Sequence, residues 1–510
     1  MEFNGLLTTT VFLPIAGAMV VALFLKGATT IRLFSAFIGL IELVLTIVVF
    51  FSYDTSHSAP QFQFIDKLPN WIPIESFKVE YFMGVDGLSA PLVLLTGVLG
   101  LVAIFASWGN SHRVKEYFFW LLALQTGVMG VFTSLDFIQF FLFWELELIP
   151  MFFLIAVWGS GRKEYSAMKF LIFTFIGSAF MLIGILIIFY SIHPHTFDMT
   201  LIPSTIKGTT LIVPSMVVFF LLFVGFAVKL PVWPLHTWLP DAHTDAPTAG
   251  SVMLAGVLLK MGAYGMIRVS ATMFPDVMME IGWLIIGAGV INVLYGAAVT
   301  VRQTDLKRLI AFSSISHMGF VLIGLSSVVG IGGTVSSTGL TGAAFQMFTH
   351  GIITGLMFLI VGYIYEKANT RYIPDLGGLA SKMPILATAF LVAGLASLGI
   401  PGTSGFVSEI LIFVGTFGVW SWLTAIGAFG IVLSAGYILW MIQRSLFGPV
   451  IPRFVNVKDA SPIEILPIAI LIFLIISIGI YPAIITDTFR SGVEPIIESF
   501  NTVSRAGLNQ

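Results

Sequence analysis

The sequence contains no cysteine among its 510 residues, and only 10% of its residues are charged. The lack of cysteine excludes disulfides, thiolate chemistry and any iron–sulfur or zinc site that cysteine would hold. The charged fraction is far below the roughly 25% that is usual in soluble domains, while 57% of the residues are hydrophobic. The 24 Lys and Arg nearly balance the 26 Asp and Glu, and no basic run suggests binding to nucleic acid. This composition excludes a single soluble core and predicts a protein of the membrane.

Long apolar stretches recur from one end of the sequence to the other. A helix needs about 20 apolar residues to cross a bilayer, and there are about fourteen such stretches here. They lie at 3–25, 33–52, 87–107, 117–134, 137–158, 167–191, 211–242, 247–270, 277–300, 306–327, 341–365, 385–419, 421–443 and 463–486. The connector at 53–86 is too polar to span a membrane. We therefore predict an all-α polytopic membrane protein with about fourteen transmembrane helices.

The basic residues are distributed unevenly between the connectors. If the N-terminus lies outside, sixteen of the 24 Lys and Arg fall in inner connectors, six in outer segments and two, Lys229 and Lys260, within spans. Inner connectors of membrane proteins carry the excess of Lys and Arg. The pattern predicts a multi-pass protein of the cell inner (plasma) membrane. Both termini should lie on the outer (periplasmic) side, because the number of spans is even.

Six ionisable residues lie well inside the predicted spans, where a charge costs roughly 2.5–3.5 kcal/mol on insertion scales and usually marks an ion path. They are Glu145, Lys229, Lys260, His317, His350 and Glu409. Loss of water disfavours the charged form of lysine and of glutamate, and an opposite charge nearby restores it. A Glu–Lys pair can therefore bind and release a proton as it opens and closes, and histidine can relay the proton. The six residues predict a proton path.

A purely structural interpretation of these residues stays open. Salt bridges and hydrogen bonds between helices could hold the bundle together without any transport. The two histidines alone would fit that interpretation, whereas the whole set favours transport. Glu147 is not counted in the path, because it lies two positions from Glu145 and points to a different side of the helix.

Two of the apolar stretches are too long for simple spans and contain proline and glycine. Pro231 and Pro234 follow Lys229 in the seventh stretch, and Pro401 and Gly402 interrupt the twelfth. Proline removes a backbone donor and clashes with the preceding turn, so each helix should break there. Paired interruptions in two halves are typical of transporters that hold an ion near the midplane. Simple kinks are the alternative.

The two breaks are five spans apart, so the broken helices run in opposite directions, as inverted repeats require. We therefore predict two inverted five-helix repeats, each containing a broken helix. The predicted segments are 1–116, with helices 1–3 and the outer connector; 117–270, the first repeat; 277–443, the second repeat; and 444–510, with helix 14 and a short tail.

Several longer motifs resemble the proton-translocating antiporter-like family of membrane subunits. They are Phe-Trp-Glu at 143–145 with Leu-Ile-Pro at 148–150, and the runs at 229–243, 246–252, 306–319 and 348–351. The resemblance covers nearly the whole chain. Glu409 makes it similar to the M-type (chain 4) subunits of respiratory complex I, because the L-type and N-type subunits are expected to carry lysine there. The chain also ends soon after span fourteen, without the long lateral helix expected of the L-type.

The resemblance implies a translocase subunit of an NADH-quinone oxidoreductase, with the redox chemistry done elsewhere. It implies a proton route through Glu145, Lys229, Lys260, a histidine relay and Glu409, with Glu145 paired to Lys229. No catalytic, cofactor-binding or metal-binding residue is expected in this chain, and flavin and iron–sulfur clusters are expected in partner subunits. The expected partners are the other membrane subunits, including adjacent antiporter-like ones, together with membrane lipids and protons.

Other interpretations of the same motifs stay open. A subunit of a cation/proton antiporter complex, of a membrane-bound hydrogenase or of a ferredoxin-fed photosynthetic complex I would carry similar residues. A haem-bearing electron carrier with His317 and His350 as axial ligands belongs to a different class, and the absence of a haem Soret band would exclude it.

Overall fold

A computed structural model describes residues 3–74, 77–330 and 334–508. Its N-terminal half contains the strands β1 (Gln63–Ile74) and β2 (Phe77–Val85). The helices of this half are α1 (Leu6–Leu23), α2 (Ala28–Phe51), α3 (Ala90–Ala106), α4 (Val114–Thr133), α5 (Phe137–Leu146), α6 (Leu148–Trp158), α7 (Lys163–Ser191), α8 (Ile202–Ile206), α9 (Ser215–Lys229) and α10 (Trp238–Asp245).

The remaining helices follow without further strands in the part of the chain that is described. They are α11 (Thr248–Met253), α12 (Leu259–Gly265), α13 (Pro275–Val301), α14 (Leu306–Leu325), α15 (Ser337–Ala368), α16 (Pro384–Ser397), α17 (Ser404–Leu446), α18 (Pro462–Ile480) and α19 (Ala483–Leu508). The π-helical segment Leu254–Leu258 joins α11 to α12, and a second one, Met266–Ala271, extends α12, so that all four make one rod.

The apolar stretches of the sequence become membrane-length helices. Ten helical stretches among the described residues are long and apolar enough to cross a membrane, and α3, α9 and α16 are shorter apolar helices. α9 continues through a break into α10, and α16 continues into α17, which is kinked at Trp420 and Ser421. α4 is included in the count, α16 and the first part of α17 make one broken span, and the part of α17 after the kink makes another. On this count the described chain makes fourteen spans. The predicted all-α membrane fold is confirmed, while the boundaries of the four predicted segments stay a prediction.

Three helices form the centre of the bundle. The rod of α11 and α12, the helix α14 and the helix α15 are apolar on all sides, and their apolar windows are completely buried. A helix that is hydrophobic all round is stable only where other helices or lipid surround it. These three helices carry Lys260, His317 and His350, so the fold keeps those side chains away from the bilayer.

The polar connector between α2 and α3 contains regular structure. Its β1 and β2 pair in antiparallel register to form a two-stranded sheet. Residues 78–81 of β2 alternate between the outer side and the core side, and the rest of β2 is buried. The C-terminal tail is helical, since α19 runs from Ala483 to Leu508.

Candidate functional site

The first helix break lies directly after Lys229. α9 ends there, and the backbone turns through Pro231 and Pro234 before α10 begins at Trp238. Asn292 of α13 satisfies the freed backbone, since its amide donates to the carbonyl of Pro231 at 3.1 Å and accepts from the amide of Trp233 at 2.7 Å. An open backbone survives at membrane depth only with such partners. The break therefore holds Lys229 at a defined position inside the bundle.

Lys229 forms a buried ion pair with Glu147. The side chains of the two residues are 1% and 0% exposed, and the ammonium lies against the Oε1 of Glu147. Trp144 and Phe170 enclose the ammonium, with ring centroids 5.5 and 5.7 Å away. The resemblance implied that Glu145 would make this pair, and the helical spacing from Glu145 placed Glu147 outside the path. The structure corrects both expectations.

The geometry of the fifth span explains this correction. The chain breaks its helical run at Glu147, between α5 and α6. Residues two positions apart on a helix lie on nearly opposite sides, and the two carboxylates do point to different sides. The one that faces the bundle interior is Glu147. Glu145 instead borders a surface cavity of about 520 Å³ whose other walls are the apolar side chains of Leu142, Leu146, Leu148, Ile149, Leu171, Ile172 and Phe175.

Lys260 lies at the centre of the buried rod. Its Nζ donates to the Nδ1 of His350 at 2.8 Å and to the carbonyl of Ala255, in the π-helical segment one turn before it. A π segment leaves backbone carbonyls displaced from the regular ladder and occurs often at functional sites. Gly262, on the same rod, packs against the end of α9 at Leu230. Lys260 therefore belongs to a helix that touches the first break.

The second break, between α16 and α17, shapes the site of Glu409. Gly399 and Gly402 have φ values of +67° and +90°, the left-handed region that favours glycine. A Cβ added to Gly399 would lie 2.5 Å from the Oε2 of Glu409, so the carboxylate packs directly on this glycine. Pro401 lies in the turn between the two glycines. The second break thus creates the space that Glu409 occupies.

His317, His350 and Glu409 converge around a small cavity. The rings of the two histidines are 5.7 Å apart between centroids, and the Nδ1 of His317 lies 3.8 Å from the Oε1 of Glu409. The Nε2 of His317 also meets the Oγ of Ser397 at 3.1 Å. The cavity holds about 10 Å³, close to the volume that one water molecule needs.

Several polar residues of this cavity were not anticipated from the sequence. Gln346, Thr349 and Ser408 share a hydrogen-bond network, in which Ser408 donates to Gln346 and meets Thr349 at 3.0 Å. They line the cavity or contact residues that do. Uncharged side chains in apolar helices give little signal in a sequence, and only their convergence from α15 and α17 shows that they form a polar wall.

The structure thus brings the six sequence-predicted residues into two groups. Lys229 lies at the first break with Glu147, while Glu145 faces the surface next to it. Lys260, His350, His317 and Glu409 form a continuous line to the second break. Within the described residues, no three His, Asp or Glu side chains cluster as metal ligands.

Comparison with known proteins gives consistent matches. The family model for "NADH:quinone oxidoreductase/Mrp antiporter, TM" matches residues 134–434, which include both breaks and all six predicted residues. A protein of Rickettsia felis named NADH-quinone oxidoreductase subunit M is 38% identical over 501 residues, covering 97% of this chain and 99% of the relative. A chloroplastic NAD(P)H-quinone oxidoreductase chain 4 of Chlorokybus atmophyticus is 38% identical over 513 residues, covering 98% and 96%.

Solved structures show the same architecture. A chain of respiratory complex I from Thermus thermophilus superposes with a TM-score of 0.85 at 25% identity, covering 97% of this chain and 98% of that one. A chain of the Mrp complex from Dietzia sp. superposes with a TM-score of 0.84, covering 98% of each chain. Its identity is 19%, so this likeness concerns the fold alone.

Proposed function

The chain belongs to the NADH:quinone oxidoreductase/Mrp antiporter transmembrane family, and from this membership we propose that it is the M-type, proton-translocating membrane subunit of a respiratory complex I. It works as part of an NADH-quinone oxidoreductase in which other subunits pass electrons from NADH to quinone. Its bacterial relatives favour the plasma membrane as its location. The near-complete coverage of relatives named subunit M or chain 4 supports this type within the family.

The observation that carries the proposal is the line of ionisable side chains through the buried helices. Lys260 donates to His350, the ring of His350 lies beside that of His317, and His317 faces Glu409. Each of these residues is at most 5% exposed. Buried ionisable groups are expensive within a membrane and are retained where ions pass. Their spacing allows protons to move by short transfers, with a water molecule between His317 and Glu409.

The Lys229–Glu147 pair is the control point of this route, that is, the pair whose opening and closing decides when a proton is released into it. While the pair is closed, the carboxylate stabilises the protonated lysine. When the pair opens, loss of the opposite charge favours release of the lysine proton into the bundle. Because the lysine is anchored at a helix break, small movements of the turn change its distance from Glu147. We assign the switching role to this pair, with Glu147 as the partner in contact.

Glu145 connects the control point to a neighbouring subunit. A partly buried carboxylate on an apolar outer groove is costly against lipid, and this groove is lined by exposed side chains such as Ile149 and Phe175. An adjacent antiporter-like subunit would cover the groove and provide Glu145 with a polar partner. Glu145 would then respond to the neighbour and act on Lys229 through its charge.

The test of the proposal is replacement of Lys260 by arginine in the assembled complex. Lys260→Arg keeps a positive charge but cannot give up a proton at ordinary pH. We expect proton pumping in proteoliposomes to fall by about 10²-fold, the usual worth of a proton-transfer group. Lys67→Arg is the matched control, because Lys67 is a lysine outside the spans that pairs with Glu80 and Asp198, and this variant should pump normally. Full pumping by an assembled Lys260→Arg complex would refute the route.

A further inference from the structure

A buried carboxyl group lies outside the proton route, in the middle of α2. Glu42 is 0% exposed, and neither of its side-chain oxygens has a hydrogen-bond partner among the described residues. Gln125 of the neighbouring helix α4 is also 0% exposed, and within the described chain both polar atoms of its amide group lack partners. Buried polar groups nearly always have partners, so these two side chains mark an unusual place in the bundle.

Glycines in α2 and α3 show where Glu42 points. A Cβ added to Gly39 would lie 3.3 Å from the Cδ1 of Leu101 in α3, and a Cβ added to Gly97 would collide with the side chain of Thr46. Glu42 is three residues after Gly39 and four before Thr46, so the three residues share one face of α2. That face packs against α3, which runs antiparallel to α2. Glu42 is therefore opposite the segment of α3 between Gly97 and Leu101.

Gln125 reaches the same segment of α3 from α4. A Cβ added to Gly100 would collide with the amide of Gln125, so this amide fills the place of a side chain on α3. Glu42 is nine residues before the end of α2 at Phe51, and Gln125 is eight residues before the end of α4 at Thr133. These lengths correspond to about 12–14 Å of helix. Because α2 and α4 cross the bundle in the same direction, the two side chains lie at the same depth.

The neighbouring helices offer no charge that could compensate an ionised Glu42. α2 packs against α1, α3 and α4, and neither α1 nor α3 contains Lys, Arg, Asp or Glu. Arg32 of α2, and Lys115 and Glu116 of α4, lie nine or ten residues along their own helix from Glu42 or Gln125, which is about 13 Å or more. An isolated buried carboxylate is so costly that the group takes up a proton instead.

A protonated carboxyl group and a primary amide are complementary. The neutral acid has one O–H donor and a carbonyl acceptor, and the amide has an acceptor oxygen and an NH₂ donor. An ionised Glu42 would have acceptors only and would leave the amide oxygen of Gln125 without a partner. Satisfying both side chains at once therefore requires a proton on Glu42.

We propose that Glu42 and Gln125 form a proton-binding site separate from the proton route, in which the protonated carboxyl of Glu42 donates to the amide oxygen of Gln125 and accepts from its NH₂ group. The proton stays bound, and the pair holds α2 to α4. Gly127, which packs on Glu147, is two positions from Gln125 on α4, so the site and the Lys229–Glu147 pair lie on nearly opposite sides of that helix. The inference goes beyond the proposed function and does not depend on it.

Infrared spectroscopy of the assembled complex tests for the proton. Exposed carboxyl groups are ionised at neutral pH, so the carboxylic acid C=O band then reports buried protonated groups. We expect Glu42→Gln to lose the contribution of Glu42 to this band, and Gln125→Leu to shift that contribution to higher frequency because the hydrogen bond is gone. Gln125→Leu retains Glu42, so its shift decides the matter even if Glu42→Gln does not assemble.

Two infrared results would overturn the inference. In the first, Glu42→Gln loses a carboxylate band and no carboxylic acid band, which would mean that Glu42 is ionised. In the second, the contribution of Glu42 disappears when sodium replaces potassium in the buffer, which would mean that the group binds a metal cation. An unshifted band in Gln125→Leu would show that Gln125 is not the partner.

Paired substitutions test the contact itself. Glu42→Leu and Gln125→Leu should each lower the midpoint of thermal unfolding, because each leaves one polar group alone, and the double variant should recover most of that loss. Gln139→Leu is the matched control, since Gln139 of α5 is equally buried and its Nε2 has no partner among the described residues. Combined with Glu42→Leu, the control should be additive. Additive losses for Glu42 and Gln125 would show that they do not pair.

Pumping distinguishes this site from the proton route. Glu42→Gln keeps a neutral group that donates and accepts, so the assembled complex should pump at the unsubstituted level, whereas Lys260→Arg should not. A loss of pumping of about 10-fold or more in assembled Glu42→Gln would mean that the proton of Glu42 moves during turnover, and the inference would fail. Normal pumping by both variants would refute the proposed function and leave this site in place.

Discussion

Glu145 and Glu147 occupy the same apolar span, yet only one of them faces the bundle interior. Glu147 is 0% exposed against Lys229, and Glu145 borders an outer groove. A buried ion pair is a demanding arrangement, because removing one partner leaves an uncompensated charge and typically costs about 3–5 kcal/mol. The identity of the partner therefore has a measurable consequence for stability.

We predict that neutralising both members of the true pair is less damaging than neutralising one. Glu147→Gln and Lys229→Met should each lower the thermal stability of the purified complex, because each leaves a buried polar or charged group alone. The double variant should recover about 1–3 kcal/mol relative to the sum of the single losses. The measurement is the midpoint of thermal unfolding in detergent.

Glu145 provides the control for this cycle. Glu145→Gln combined with Lys229→Met should show no recovery beyond additivity, because these side chains do not form the contact pair. Recovery in the Glu145 cycle and none in the Glu147 cycle would reverse the assignment.

The sequence could predict which residues are buried charges but not which carboxylate meets Lys229. Around Glu145 and Glu147, nearly every neighbour is apolar, so the helix has no polar face to show which side is inward. The interior side is set by α4, where Gly127 leaves room for Glu147. A Cβ added to Gly127 would lie only 2.9 Å from the Cβ of Glu147. That contact joins two helices and is not a property of the fifth span alone.

At the level of elements, the helix breaks were predictable because proline acts locally. The side chains that complete them were not. Asn292 closes the first break from α13, and Ser397 meets His317 beside the second. The β1–β2 sheet was not predicted for a related reason, because a strand depends on packing against the opposite strand.

Gly399 and Gly402 allow a matched test of the second break. Both have positive φ, so alanine at either position should cost about 1–2 kcal/mol of backbone strain. Only at Gly399 would the new Cβ meet the carboxylate of Glu409, while nothing lies within 4 Å at Gly402. We expect Gly399→Ala to impair proton pumping strongly and Gly402→Ala to leave it nearly unchanged in complexes of similar stability. Equal effects of the two substitutions would mean that the position of Glu409 does not limit pumping.

At the scale of the whole molecule, distant parts of the chain meet at one end of the bundle. An added Cβ at Gly87, near the start of α3, would lie 2.3 Å from the carbonyl oxygen of Thr488 in α19. His57 and Glu494 approach to 3.8 Å at the same end. The C-terminal helix α19 therefore packs against the connector that contains the β1–β2 sheet. Hydropathy could place the spans, but this contact between residues about 400 positions apart could not be inferred from composition.

The last prediction concerns how the whole molecule lies in the membrane. The charge bias places the β1–β2 sheet and α19 outside and the α3–α4 connector inside. Ser58 and Ser111 are both exposed and lie on these opposite ends, and the unsubstituted chain offers no thiol as background. A membrane-impermeant maleimide should label Ser58→Cys in intact cells and Ser111→Cys only in inverted vesicles. The opposite pattern would invert the topology.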